Sequence, residues 1–280
     1  MTRIAVVGSY GVGLTFGVAR APDRGETLIG SLFRTDHGGK GSNQAVGAAR
    51  LGAEVALLTA VGADSFGDGA AKLWADESVD ASAVLRSQLP TMTAAIIVEE
   101  SGDNRIVIVP GALSELTPGH VDAFGPAIAS ADVLLVQLEI PVATALHALE
   151  VGRSAGVRTI LNPAPAPPGP IAPAADYLTP NESEAHAVEG AGGTLVVTLG
   201  EQGARLCGDQ IPAFAAQPVD TTGAGDAFCA AFAVALAEGA PDAEAVRWGC
   251  AAGAHMVEHE GVVPGLPTRA QLEDRLAVAA

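Results

Sequence analysis

Short apolar runs at Val55 to Ala60, Val133 to Val136 and Val157 to Leu161 alternate with stretches of helical pattern at Gly67 to Glu77, Thr117 to Ala129 and Val142 to Ala155. A strand that is apolar throughout must be covered on both faces, and a helix between two such strands returns the chain parallel to its start. The alternation predicts a parallel sheet sandwiched by helices, in which ligands gather at the carboxyl ends of the strands. Ile4 to Val7, closing on Gly8-Ser9, and Leu195 to Leu199, closing on Gly200-Glu201-Gln202-Gly203, are further buried strands. Two regions break the pattern. Leu14 to Val18 and Thr27 to Phe33 read as strands around the polar Pro22-Asp23-Arg24-Gly25, and Thr93 to Glu99 with Arg105 to Val109 reads as a hairpin about Ser101-Gly102-Asp103-Asn104. The expectation is a single α/β domain over 1–280, with a small β lid built from about 11–36 and 91–112.

With 49% apolar residues in 280, the chain can bury one large core. Its 32 acidic and 15 basic residues leave a formal charge of -17, which argues against nucleic-acid or anionic-membrane partners but not against a phosphate held by backbone amides. Cys207, Cys229 and Cys250 are odd in number and lack metal-like spacing, so they read as small core hydrophobes in a reducing compartment. Met1-Thr2-Arg3 runs straight into a strand, and no apolar run approaches transmembrane length, so the expected location is cytoplasmic. His255 and His259 are assigned to a helix face, not a metal site.

The chemistry concentrates in Val219-Asp220-Thr221-Thr222-Gly223-Ala224-Gly225-Asp226-Ala227-Phe228-Cys229. Gly223 and Gly225 precede an Ala-rich apolar run, Ala227 to Ala237, that reads as a buried helix. A Gly-rich turn that opens a helix presents unpaired N–H groups and the positive end of the helix dipole to an anion. A carboxylate there either caps the helix or takes the proton of a hydroxyl attacking a phosphate, and Asp226 fits both descriptions. A second Gly-rich stretch, His37-Gly38-Gly39-Lys40-Gly41-Ser42-Asn43-Gln44-Ala45, reads as a loop before a helix at Val46 to Leu51, its glycines allowing close backbone approach and Lys40 and Asn43 donating to hydroxyls. Gly41 after Lys40 spoils a phosphate-loop motif, and the G-x-x-G-x-G of Gly8, Gly11 and Gly13 is not a dinucleotide fingerprint. Gln137-Leu138-Glu139 and Asn162-Pro163-Ala164 stand at strand ends, and Asn181 and Glu184, three apart on an expected helix start, share a face able to hold the water shell of Mg²⁺.

Asp-Thr-Thr-Gly-Ala-Gly-Asp-Ala-Phe resembles the C-terminal signature of the ribokinase-like, phosphofructokinase-B (PfkB) type carbohydrate kinases, and Gly-Gly-Lys-Gly-x-Asn-Gln-Ala their N-terminal one. The resemblance extends to Arg24-Gly25-Glu26-Thr27, Gln137-Leu138-Glu139, Asn162-Pro163-Ala164-Pro165-Ala166 and the Asn181-x-x-Glu184 segment, covering nearly the whole chain. It implies a three-layer α/β/α sandwich with a mostly parallel central sheet and a β-sheet lid. It also implies an ATP-dependent phosphotransferase with an alcohol acceptor. In that reading Asp226 is the general base and the amides of Gly223, Ala224 and Gly225 form the anion hole. Gly38, Gly39, Lys40, Asn43 and Glu139 face the sugar, while Asn181, Thr198, Gly200, Gly203 and Cys250 serve the nucleotide. Glu184 reaches Mg²⁺ through water, and Asp220 and Thr222 offer carbonyls to K⁺. The resemblance, together with the logic of an exposed strand edge, implies a homodimer through the lids.

Three departures stand out. Ribokinases carry Gly-Ser-x-Asn-x-Asp after the first strand, where the Asn and Asp grip ribose hydroxyls, but Gly11 and Gly13 occupy those positions here. Thr91-Met92-Thr93 replaces a Thr-Gly pair and Leu113 the Asn of Gly-Ala-Asn, which makes the lid side more apolar. The segment between Glu184 and Leu195 is short, leaving room only for a brief helix at His186 to Glu189. The expected function is transfer of the γ-phosphoryl group of ATP to a primary hydroxyl of a small sugar, with ribose itself in question. A nucleoside kinase is the alternative, and a non-catalytic sugar- or nucleotide-binding protein on the same scaffold is a reading from another class.

Overall fold

The computed structural model describes residues 1–278. Nine strands form the main sheet, in the order Asp209–Ile211, Ala204–Leu206, Thr194–Thr198, Tyr177–Leu178, Arg158–Asn162, Val133–Gln137, Arg3–Val7, Glu54–Leu58 and Val79–Asp80. Every pairing from Thr194–Thr198 onward is parallel, and the two pairings that add Ala204–Leu206 and Asp209–Ile211 at the edge are antiparallel, so that only Ala204–Leu206 runs against the rest. The central strands carry no polar face because successive side chains enter different cores. Ile4, Val6, Val133 and Leu135 pack against the helices Lys40–Arg50, Ala224–Ala237 and Asp242–Met256, whereas Ala5, Val7, Leu134 and Val136 pack against Pro118–Ala129 and Val142–Ser154. The result is the three-layer α/β/α arrangement.

A second, four-stranded sheet has the order Leu32–Gly38, Gly11–Val18, Met92–Glu99 and Asn104–Val109. Its first two strands differ from the sequence expectation. Gly11, Val12 and Gly13 belong to the ladder, and the partner strand begins at Leu32 and runs to Gly38, with Thr27 to Gly30 outside it. Arg34 and Asp36 look too polar for a strand, but they sit on a cleft-facing surface where polarity costs nothing.

The Gly-Gly-Lys segment is also corrected. The helix starts at Lys40, so Lys40, Asn43 and Gln44 lie in its first turns and not in a loop. Gly39 makes this possible at φ 89, because a Cβ there would stand 2.5 Å from the Tyr10 backbone. The cap comes from far away, since Glu139 Oε2 accepts a hydrogen bond of 2.8 Å from the Lys40 amide. Asn181 and Glu184 likewise differ from expectation: they lie in a turn before a 3₁₀ segment, Ala185–Val188, and not on an α-helix. None of the helices among the described residues is long and apolar enough to cross a membrane.

Candidate active site

The carboxyl ends of Arg3–Val7 and Val133–Gln137, the start of helix Lys40–Arg50, the start of helix Ala224–Ala237 and the four-stranded sheet enclose a cleft of about 470 Å³. Gly38, Gly39, Lys40, Asn43, Glu139, Asp220, Thr222, Gly223 and Asp226 all line it. A wider depression of about 740 Å³ opens at the opposite, amino ends of the strands, around Arg153, Arg158 and Asp176. We place the chemistry in the smaller cleft, because it holds the helix N-terminus and Asp226, and parallel sheets bind ligands at the carboxyl ends.

Asp226 is only 5% exposed, and each of its oxygens is held by an amide. Asn43 Nδ2 donates to Oδ2 at 2.8 Å, and Gln44 Nε2 donates to Oδ1 at 3.1 Å. Gln44 is itself fixed, since Gln137 Nε2 donates to its Oε1 at 2.6 Å. Sequence reasoning passed over Gln44 and Gln137 as site residues and gave Asn43 a hydroxyl to hold. The structure spends one Asn43 amide hydrogen on the carboxylate. Donors at both carboxylate oxygens fix the orientation of the buried group.

The turn before Asp226 is built around Gly223, whose φ of 81 suits glycine and whose Cβ would come within 2.6 Å of Val262 Cγ1. Asp220 braces the turn with both oxygens, Oδ1 accepting from the Thr222 amide at 2.9 Å and Oδ2 from the Gly261 amide at 3.3 Å. Burial works against the Asp220 charge, but these donors and Arg34 outweigh it and hold the carboxyl below its ordinary pKa. The Ala224 amide turns back to the Thr221 carbonyl at 3.3 Å, a long bond that leaves it only partly committed. Gly225 has open space around its Cα, as a backbone approached by a ligand requires.

Lys40 faces this turn. Burial alone would lower the ammonium's pKa, yet the carboxylates of Asp226, Glu139 and Glu184 together hold it above its ordinary value, so it remains charged. A cation beside a glycine-rich helix start is the electrostatic setting that would suit a phosphate in transfer.

The residues expected on the nucleotide side are not among those that line the cleft. Asn181 and Thr198 are joined by an isolated bridge at the ends of neighbouring strands. Gly200 and Gly203 turn the chain with φ of 57 and 91. Cys250 is buried in the core of helix Asp242–Met256, where burial pushes its thiol up to about 12. Asn181 and Glu184 cap each other, the Glu184 amide donating to Asn181 Oδ1 at 2.9 Å and the Asn181 amide to Glu184 Oε2 at 3.0 Å. Among the described residues no donor reaches Glu184 Oε1, which fits an outer-shell contact to a hydrated cation. Among the described residues no three His, Cys, Asp or Glu side chains gather as a direct metal cage. That donor set fits Mg²⁺ held chiefly by phosphate oxygens and water.

Residues 1–269 match the family model described as pfkB family carbohydrate kinase. The chain is 39% identical over 298 residues to a ribokinase of Bacillus subtilis, covering 99% of this chain and 100% of that protein. It is also 32% identical to a deoxyribokinase of Salmonella typhi, covering 98% and 99%. A ribokinase of Arabidopsis thaliana, solved in complex with ribose and ATP, superposes with a TM-score of 0.90 at 30% identity and 99% coverage of both chains. The chain therefore belongs to the pfkB family of carbohydrate kinases, enzymes that transfer a phosphoryl group to a hydroxyl.

Proposed function

We propose that the protein phosphorylates a primary hydroxyl of a small sugar at the expense of ATP, with Asp226 as general base. The observation that carries this reading is the carboxylate held by Asn43 and Gln44 at the mouth of a helix N-terminus, with a charged Lys40 opposite. The acceptor hydroxyl would enter between the four-stranded sheet and Asp226, contacting Gly38, Gly39, Lys40 and Asn43. As its oxygen attacks the γ-phosphorus, Asp226 takes the proton, the bond to the ADP oxygen breaks, and the Gly223, Ala224 and Gly225 amides hold the spreading charge. Glu139, fastened to the Lys40 amide and the Ser9 hydroxyl, keeps the sugar-facing helix in place. The β-phosphate side would follow Asn181, Thr198, Gly200 and Gly203, with Cys250 behind the adenine. Mg²⁺, with Glu184 in its outer shell, would neutralise phosphate charge. K⁺ would find only backbone carbonyls at Asp220 and Thr222, because both Asp220 side-chain oxygens are already engaged. Closure of the four-stranded sheet over the cleft would exclude water and suppress ATP hydrolysis.

The deciding assay measures ADP release with Mg²⁺-ATP, with and without K⁺, over ribose, 2-deoxyribose, other pentoses, hexoses, ketoses and nucleosides. Saturable turnover of a sugar is the expected result. Turnover of nucleosides with all sugars inert would replace the sugar by a nucleoside, a reading favoured by the apolar, buried Met92 that opens the lid strand Met92–Glu99 and lines the cleft. Silence across the panel would leave a binding protein.

A further inference from the structure

Four carboxylates line the cleft, and three of them are already committed. Glu139 caps the helix at Lys40, Asp226 is held by two amides, and Asp220 braces the turn at Thr222 and Gly261. The fourth is Asp36, on the strand Leu32–Gly38. Its Oδ2 accepts a hydrogen bond of 2.6 Å from Arg34 Nε, and Arg34 in turn grips Glu260 on the loop beside the anion-binding turn. Among the described residues no donor reaches Asp36 Oδ1. The carboxylate is thus fixed through one oxygen and offers the other to the cleft, where it is about one-third exposed, at 33%.

The residue paired with Asp36 across the ladder is Gly13. Neither strain nor crowding demands glycine there: its φ is not positive, and a Cβ would find only Ile96 Cδ1 at 3.4 Å and the Asp36 carbonyl at 3.9 Å. What glycine does is leave the sheet bare next to Asp36, so that a ligand can reach the carboxylate. Gly11 differs, because Met92 already fills the space its side chain would take, at 2.2 Å from a Cβ. The open floor therefore lies at Gly13 and leads to Asp36, whereas the floor at Gly11 is closed and apolar.

We propose that Asp36 is a specificity-determining residue, accepting a hydrogen bond through Oδ1 from a hydroxyl of the acceptor other than the one phosphorylated. The acceptor class is then a polyhydroxylated molecule with a hydroxyl turned toward the strand Leu32–Gly38. This inference rests on the sugar-kinase reading above.

The test compares Asp36→Ala, Asp36→Asn and the double variant Gly13→Asp/Asp36→Ala with the wild type over the same acceptor panel, recording kcat, KM for acceptor and KM for ATP. The melting shift produced by each acceptor without ATP reads binding independently of turnover. Loss of a hydrogen bond to a charged partner is expected to raise the acceptor KM by about tenfold or more in Asp36→Ala, with kcat and the KM for ATP little changed. Asp36→Asn, which keeps an acceptor oxygen, falls between. The double variant, with its carboxylate moved one strand across, regains acceptor binding with a changed order of preference among the sugars. Glu260→Gln, which loosens the Arg34 strap and leaves Asp36 in place, controls for a structural role. An acceptor KM in Asp36→Ala within twofold of wild type, or the same changes in Glu260→Gln, overturns the proposal while the kinase reading stands. A wild type that neither turns over nor is stabilised by any sugar removes both.

Discussion

Replacing Asp226 by Asn keeps the shape of the side chain and removes the proton acceptor. If Asp226 is the general base, kcat falls by about a hundredfold or more while ATP still binds, as equilibrium dialysis with nucleotide would show. Gln44 tests a different thing. Its Nε2 holds Asp226 Oδ1 and its Oε1 is held by Gln137, so Gln44→Leu frees the carboxylate to rotate without touching the acceptor. The expected result is a kcat lowered by roughly tenfold with acceptor KM nearly unchanged, since misplacement and not lost binding is the defect. An acceptor KM that rises with kcat steady would show that Gln44 meets the sugar directly.

The turn at Gly223 and the helix it opens behave as one element. Gly223→Ala forces an L-residue to φ 81 and drives its Cβ toward Val262, so a cost of about 1–3 kcal/mol is expected in denaturant unfolding. Val262→Ala in the same chain should return the part owed to the collision and leave the part owed to the backbone; full return would mean that φ at 223 is not strained. Another element senses pH. His37, the penultimate residue of the strand Leu32–Gly38, bonds Tyr10 Oη at 2.7 Å through Nδ1, and burial lowers its pKa despite the opposing charge of Asp36. His255 is lowered too, first by burial and then by His259, whose ring centroid lies 4.5 Å away. Because folding lowers both values, the unfolded chain takes up protons first as the pH falls through about 6.5. Stability is therefore full above that pH and declines below it, until the lowered folded-state values are reached. Melting temperature against pH should show this decline, and His37→Gln should make it shallower.

At the scale of the whole molecule, the four-stranded sheet is the part not fully covered. Phe33 is 63% and Val107 66% exposed, and Asn104–Val109, paired to Met92–Glu99 on one side, is an edge strand whose other side meets no strand among the described residues. A long apolar edge of this kind favours a second copy, which is the basis for proposing a homodimer through the lids. Sedimentation should then show a dimer whose dissociation constant rises by orders of magnitude in Val107→Lys/Val109→Lys. A monomeric wild type at micromolar concentration would rule the dimer out.

Local patterns carried far. The alternation of apolar runs and helical stretches determined the layered sheet, because burial on both faces leaves a strand no polar positions. The Gly-Ala-Gly-Asp turn likewise carries the marks of an anion site in its own composition, since glycine conformations and unpaired amides are properties of a few adjacent residues. What only the tertiary structure decided are the partnerships between distant segments. Glu139 caps a helix that begins at Lys40, Asn43 and Gln44 hold a carboxylate in the last third of the chain, and the ladder places Asp36 beside Gly13. No periodicity within a segment encodes these contacts. Strand register and long-range capping are settled by which surfaces meet when the layers pack, and there the start of the Lys40 helix, the orientation of Asp226 and the place of Asp36 on the cleft wall were determined.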